Sequence, residues 1–115
     1  MKKKQDLKLL KNVFKKYLEI QAVYLFGSVV SGNIHHERDM DLAIISNDPK
    51  MRTHKLAILT DLARQGFVNA DLVFLDNKDV FLQYKAVRNN RVIYQAFGFD
   101  RGATYSKIIS SILRN

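Results

Sequence analysis

Between residues 5 and 19 the apolar side chains Leu7, Leu10, Phe14, Tyr17 and Leu18 recur every three or four positions, with lysines between them. That spacing predicts an amphipathic helix with a basic outer face. Gln21–Phe26 is short, apolar and β-prone, and Gly27-Ser28 ends it, which predicts a buried strand. Asp39–Ser46 predicts a second strand, polar at its start and apolar on both faces later. Asp48 and Pro49 then read as the N-cap and first residue of a helix. Leu56, Leu59, Leu62 and Ala63 supply its stripe, and Gly66 its stop. Phe67–Leu75 predicts a third strand. Asp76–Asp79 caps a helix running to Arg88, with Phe81, Tyr84 and Val87 turned inward. Asn89-Asn90 suits a left-handed turn, and Arg91–Phe97 a short extended piece. Asp100 caps a last helix bearing Tyr105, Ile108, Ile109, Ile112 and Leu113. The order α-β-β-α-β-α-(β)-α, with no repeat, linker or break in composition, predicts one α/β (α+β) domain over residues 1–115. It has a small sheet whose helices pack mainly on one face.

Composition narrows the function classes. A chain of 115 residues with 47% hydrophobic and 26% charged residues is ordinary globular usage, not a disordered segment. It can bury roughly two-thirds of its unfolded surface in one core, with little left for a second lobe that grips a substrate. No apolar run approaches the ~18 residues of a membrane span, and the lysines after Met1 lead into no apolar leader segment. The absence of cysteine excludes disulfides, thiolate metal sites and cysteine nucleophiles, and fits a reducing compartment. A soluble, cytoplasmic protein is expected. The net charge of +8 favours phosphate-bearing partners. Much of the excess lies in the first helix, however, where Lys8, Lys11, Lys15 and Lys16 read equally well as a solvated face.

The chemistry concentrates in two segments, Leu25-Phe26-Gly27-Ser28-Val29-Val30-Ser31-Gly32 and Arg38-Asp39-Met40-Asp41-Leu42. A strand ending in Gly-Ser and turning into a short helix presents backbone N–H groups and a hydroxyl to an anion, an arrangement suited to phosphate. Asp39 and Asp41, two apart on a strand, project from one face. Such carboxylates repel each other unless a cation neutralises them, and Mg²⁺ or Mn²⁺ is the fitting hard ion. Asp71 opens the next strand. If that strand lies beside residues 39–46, a three-carboxylate cluster forms that could hold ions about 3.5–4 Å apart for phosphoryl or nucleotidyl transfer. Each feature alone is commonplace, since an Asp-x-Asp usually marks a solvated strand end. The combination on successive elements carries the reading.

Gly27-Ser28, Gly32 and Asp39-Met40-Asp41-Leu42 resemble the signature of the nucleotidyltransferase superfamily that includes DNA polymerase β. Within it the chain is similar to the minimal nucleotidyltransferases, or MNT proteins, through Asp71-Leu72-Val73 and Asn90-Arg91-Val92-Ile93-Tyr94. The resemblance implies a polymerase-β-like fold with a small mixed sheet. It implies that Gly27, Ser28, Gly32 and Arg38 bind the nucleotide, that Asp39, Asp41 and Asp71 bind Mg²⁺ or Mn²⁺, and that all three aspartates are catalytic. It implies ATP as substrate and a helical HEPN-type toxin as partner, with AMP transferred to a toxin tyrosine so that the chain acts as an antitoxin. It implies no direct nucleic-acid partner and leaves both a homo-oligomer and a hetero-complex open.

The sequence departs from the family pattern where arginines usually flank the second glycine, because Val29, Val30 and Ser31 stand there. Arg38 also replaces the usual serine before the first aspartate. Arg38, Lys50 and Arg52 are then the candidate cations for the triphosphate. The departure keeps two further readings in view: an antitoxin that works by contact alone, and an enzyme acting on a small hydroxyl compound. His35 and His36 read as solvated loop residues, His54 as a helix-surface residue, and Tyr84, Tyr94 and Tyr105 as core.

Overall fold

In β1 (Ile20–Phe26), Ala22, Val23, Tyr24 and Leu25 are all buried, so this strand has no solvent face. β2 (Met40–Ser46) repeats the pattern with Leu42, Ala43 and Ile44. Strands apolar on both sides need a covering layer on each. The computed structural model describes residues 2–26, 40–76 and 79–114, with side chains from Asp6 onward, and shows both layers. On one face α1 (Lys2–Phe14) and α2 (Lys55–Arg64) bring Leu10, Val13, Phe14, Ile58 and Leu62 onto Val23, Leu25, Leu42 and Ile44. On the other, α3 (Val80–Val87) and α4 (Arg101–Arg114) bring Ala86, Val87 and Ile108 onto Ala22, Tyr24 and Ala43.

The α/β class and the small mixed sheet are as expected. The helix placement is not: two helices lie on each face rather than most on one, because the two central strands alternate between two apolar sets. The sheet order is β3-β2-β1-β4, where β3 is Ala70–Leu75 and β4 is Val92–Gln95. β1 runs antiparallel to β2 and β4, while β2 and β3 are parallel. Among the described residues no helix is long and apolar enough to cross a membrane.

Several boundaries move for local reasons. The first helix stops at Phe14, and Tyr17 N–H donates to the Phe14 carbonyl in the turn that follows. The Asp48 carboxylate does accept a backbone N–H, from Lys50 at 2.8 Å. The chain then makes a 3-10 turn, Met51–His54, before α2 begins. Phe67 is buried in the core ahead of β3, which starts only at Ala70. Gly66 at φ +99° and Asn90 at φ +53° are the left-handed turn residues expected. Asp79 caps α3 through Leu82 N–H at 3.0 Å, and Asp100 caps α4 through Ala103 N–H at 3.0 Å. Six side chains expected on apolar stripes are exposed: Leu18, Leu56, Ala63, Phe81, Tyr105 and Leu113.

The end of α1 is tied to α2 by the Tyr17 hydroxyl, which donates to Asp61 Oδ2 at 2.6 Å, with Lys16 Nζ 3.2 Å from the same oxygen. Burial, then the hydrogen bond to Asp61 and its charge, push Tyr17 from its ordinary 10 up to about 12. The hydrogen bond from Tyr17 is the main cause that holds Asp61 below its usual carboxylate range. The folded chain therefore keeps a proton that the unfolded chain loses above pH 10. The contribution is complete below that pH and disappears as pH rises towards about 12. Tyr17→Phe should cost about 1 kcal/mol at neutral pH. Urea midpoints at about pH 9 and pH 11.5 should converge for wild type and Tyr17→Phe at the higher value.

Candidate active site

Asp41 and Asp71 are register partners in the parallel β2–β3 pair. Side chains paired across neighbouring strands share a face, and neighbouring strands lie about 4.8 Å apart, so the two carboxylates stand side by side. Their face is that of Ala43 and Ile45, the side covered further along by α3 and α4. Leu42 and Leu72, one residue on, pack into the opposite core and anchor both strands there. The carboxylates are thus held at the polar end of a buried pair of strands. Asp41 is half-buried and Asp71 is exposed.

Phe26 pairs with Asp41 on the other side, so β1 ends where β2 begins. Gly27 and Ser28 follow Phe26 in the chain, and Asp39 precedes Met40. These three, with Gly32, Arg38, His35 and His36, lie outside the described residues. The sequence-predicted site therefore appears here as the pair Asp41–Asp71. Among the described residues, no group of three acidic or histidine side chains gathers for a metal.

Two hard oxygen donors side by side on one face fit a divalent ion of the Mg²⁺ class. A cation is already drawn to one of them: Lys55 Nζ lies 3.6 Å from Asp71 Oδ1. Sequence reasoning missed this lysine. Its signal was the spacing Lys55, Ile58, Leu62, which puts the lysine stem on the buried stripe of α2. Of the cations suggested for the triphosphate, Arg52 lines one groove with Lys55 and Asp71 but is committed to other partners, and Lys50 lies elsewhere. Arg52 donates to the Phe74 carbonyl at 3.4 Å, pairs with Asp76 at 3.2 Å and lies over the Phe74 ring at 5.9 Å. Lys50 is exposed beside Asp48, beyond the far end of β2. At about 3.3 Å per residue, that end is some 16 Å from Asp41. A depression of about 1130 Å³ opens at that far end, lined by Ser46, Asp48, Arg52, Asp76, Lys107 and Arg114. Neither Asp41 nor Asp71 lines it, so volume and chemistry disagree. The paired carboxylates are the better guide, because the depression is a wide, open surface whose Arg52 and Asp76 already satisfy each other.

The polymerase beta nucleotidyltransferase family model matches residues 8–96, a span that contains β1, both carboxylate strands and the segment between them. The chain belongs to this nucleotidyltransferase family. Similar solved structures agree on the fold. One is the tri-AMPylated HEPN toxin of Shewanella oneidensis in complex with MNT antitoxin, matched at 19% identity and TM-score 0.74 over 97% of this chain and 87% of that one. A second is a MntA–HepT toxin–antitoxin structure, at 19% identity and TM-score 0.73 over 96% and 87%. A third is a toxin–antitoxin structure with AMP-PNP, at 24% identity and TM-score 0.70 over 99% and 89%. No curated protein matches the chain in sequence. For a nucleotidyltransferase, Asp41 and Asp71 stand where two neighbouring strands deliver acidic side chains to one edge of the sheet.

Proposed function

We propose that this nucleotidyltransferase transfers AMP from ATP to a hydroxyl of a protein partner, a tyrosine of a HEPN-type toxin, and so acts as the antitoxin of that pair. The observation that carries the reading is the in-register pair Asp41–Asp71, beside the strand that leads into Gly27-Ser28. Similarity in fold to MNT antitoxins, one of them with a tri-AMPylated HEPN toxin, supports the choice of partner and transferred group. A cytoplasmic setting fits ATP as donor.

Asp39, Asp41 and Asp71 would hold Mg²⁺ or Mn²⁺, which supplies charge neutralisation at the α-phosphate and acidifies the acceptor hydroxyl. The chain's own residues do the rest. Gly27, Ser28 and Gly32 cradle the phosphates through backbone N–H groups and one hydroxyl, and Arg38 adds a cation. Asp71, on the outer strand, faces the incoming acceptor and takes its proton. The acceptor oxygen bonds to the α-phosphorus as the bond to the bridging oxygen of the β-phosphate breaks, and pyrophosphate leaves.

Co-expression with the partner and intact-mass measurement tests this directly. The toxin should gain the mass of one or more adenylyl groups, and Asp41→Ala should leave it unmodified. Ser28→Ala should weaken ATP binding about tenfold by calorimetry without changing the melting temperature, since only one hydroxyl is lost. A second reading is favoured by Val29, Val30 and Ser31 in place of arginines and by the commitment of Arg52 to Asp76: an antitoxin acting by contact alone. A toxin that is bound, silent and unmodified would select it.

A further inference from the structure

Lys55 reaches Asp71 by an unusual route. Its helix, α2, packs on the face of Leu42 and Leu72, whereas Asp71 points to the opposite face with Ala43 and Ile45. The lysine is the first residue of α2, and buried Met51 on one side and Ile58 on the other fix its backbone against the core. Its aliphatic stem can therefore lie along the sheet only by passing the outer edge of β3, which among the described residues has a strand neighbour on one side alone. The ammonium emerges 3.6 Å from Asp71 Oδ1, in a shallow groove along that edge lined also by Leu72, Phe74, Asp79, Leu82 and the mutually paired Arg52 and Asp76. Both side chains remain accessible, at 44% and 65% exposure, so the pair is easily opened.

We infer that Lys55 is a positioning residue on the acceptor side of the site: it neutralises and aims Asp71 while no divalent ion is bound, gives the carboxylate up to that ion, and then faces the incoming hydroxyl. The inference rests on the proposed nucleotidyl transfer. The side is set by strand order. Phe26, which precedes Gly27-Ser28, lies on β1, two strand spacings or about 9.6 Å from β3. A cation at the outer edge of β3 is thus on the far side of Asp41 from the strand that leads to the phosphate loop. It lies in the groove through which a protein acceptor has room to approach.

One set of variants tests it: Lys55→Met, Lys55→Arg and, as a comparator with the same charge change but beyond the far end of β2, Lys50→Met. Each is titrated with Mn²⁺ alone, then with a non-hydrolysable ATP analogue at saturating Mn²⁺, and assayed for AMP transfer to the co-expressed toxin. Lys55→Met should bind Mn²⁺ about three- to tenfold more tightly than wild type, because the carboxylate no longer has a competing cation. It should bind the analogue within about twofold of wild type and transfer AMP about tenfold more slowly. Lys55→Arg should restore transfer, and Lys50→Met should match wild type throughout. Mn²⁺ affinity equal in wild type and Lys55→Met, or raised equally by Lys50→Met, would overturn the pairing role. A large loss of analogue affinity in Lys55→Met would make Lys55 a phosphate ligand and overturn its placement on the acceptor side. If wild type itself binds neither Mn²⁺ nor the analogue, the nucleotidyl-transfer reading falls first and takes this inference with it.

Discussion

Asp41→Asn is expected to reduce AMP transfer by about three orders of magnitude or more while leaving the melting temperature unchanged or slightly raised. The loss follows from the role argued for the pair. Removing one carboxylate from a two- or three-carboxylate site sacrifices several kcal/mol of charge stabilisation at the reacting phosphorus, and each 1.4 kcal/mol is about tenfold in rate. The stability follows from geometry. Asp41 and Asp71 are like charges on paired residues of neighbouring strands, and such an arrangement opposes folding in the absence of a cation. Asp71→Asn should show the same pattern, tempered because it also releases Lys55. Thermal shift with and without Mn²⁺ reads both effects: the ion should raise the melting temperature of wild type and do so far less for either variant. A full Mn²⁺ response in Asp41→Asn would remove the carboxylate pair from the site.

Much of this was legible in the chain because the informative signals are local. The buried run Ala22–Leu25 announces a strand covered on both faces, and the same holds for Leu42–Ile44. Placing the helices on one face overlooked what those runs already require. Asp71 beside Asp41 depended on one conditional, that the second and third strands are neighbours, and parallel pairing in register satisfies it. The caps at Asp79 and Asp100 and the left-handed Asn90 were legible because each is decided by the residue itself and the next two or three. The start of α2 was harder. Met51 is drawn into the core and Ser46 Oγ accepts the Asp48 N–H at 3.0 Å, so the chain makes a 3-10 turn before the helix. Both causes are tertiary. Lys55 was hardest, since its spacing with Ile58 and Leu62 places its stem but not the partner it reaches, which the strand edge it crosses decides.

The second large effect separates the frame from the chemistry. Leu42 is adjacent to Asp41 on β2, fully buried, and points into the core shared by α1 and α2. Leu42→Ala removes the side chain from a central strand flanked by β1 and β3, whose own partners there, Leu25 and Leu72, cannot move in without breaking their ladders. The cavity therefore stays open, and the cost should fall in the range of about 2.7–5 kcal/mol. Native domains have only about 5–15 kcal/mol in all, so the variant should melt at least 10 °C below wild type. The carboxylates lie on the other side of the sheet, on the face of Ala43, and lose no contact with the missing atoms. At a temperature where Leu42→Ala is still folded, its Mn²⁺ affinity should stay within about threefold of wild type. Asp41→Asn should do the reverse, keeping the fold and losing the ion. Loss of both properties in Leu42→Ala under folded conditions would show that the packing of β2 sets the spacing of its carboxylate from Asp71, and that frame and site cannot be varied independently.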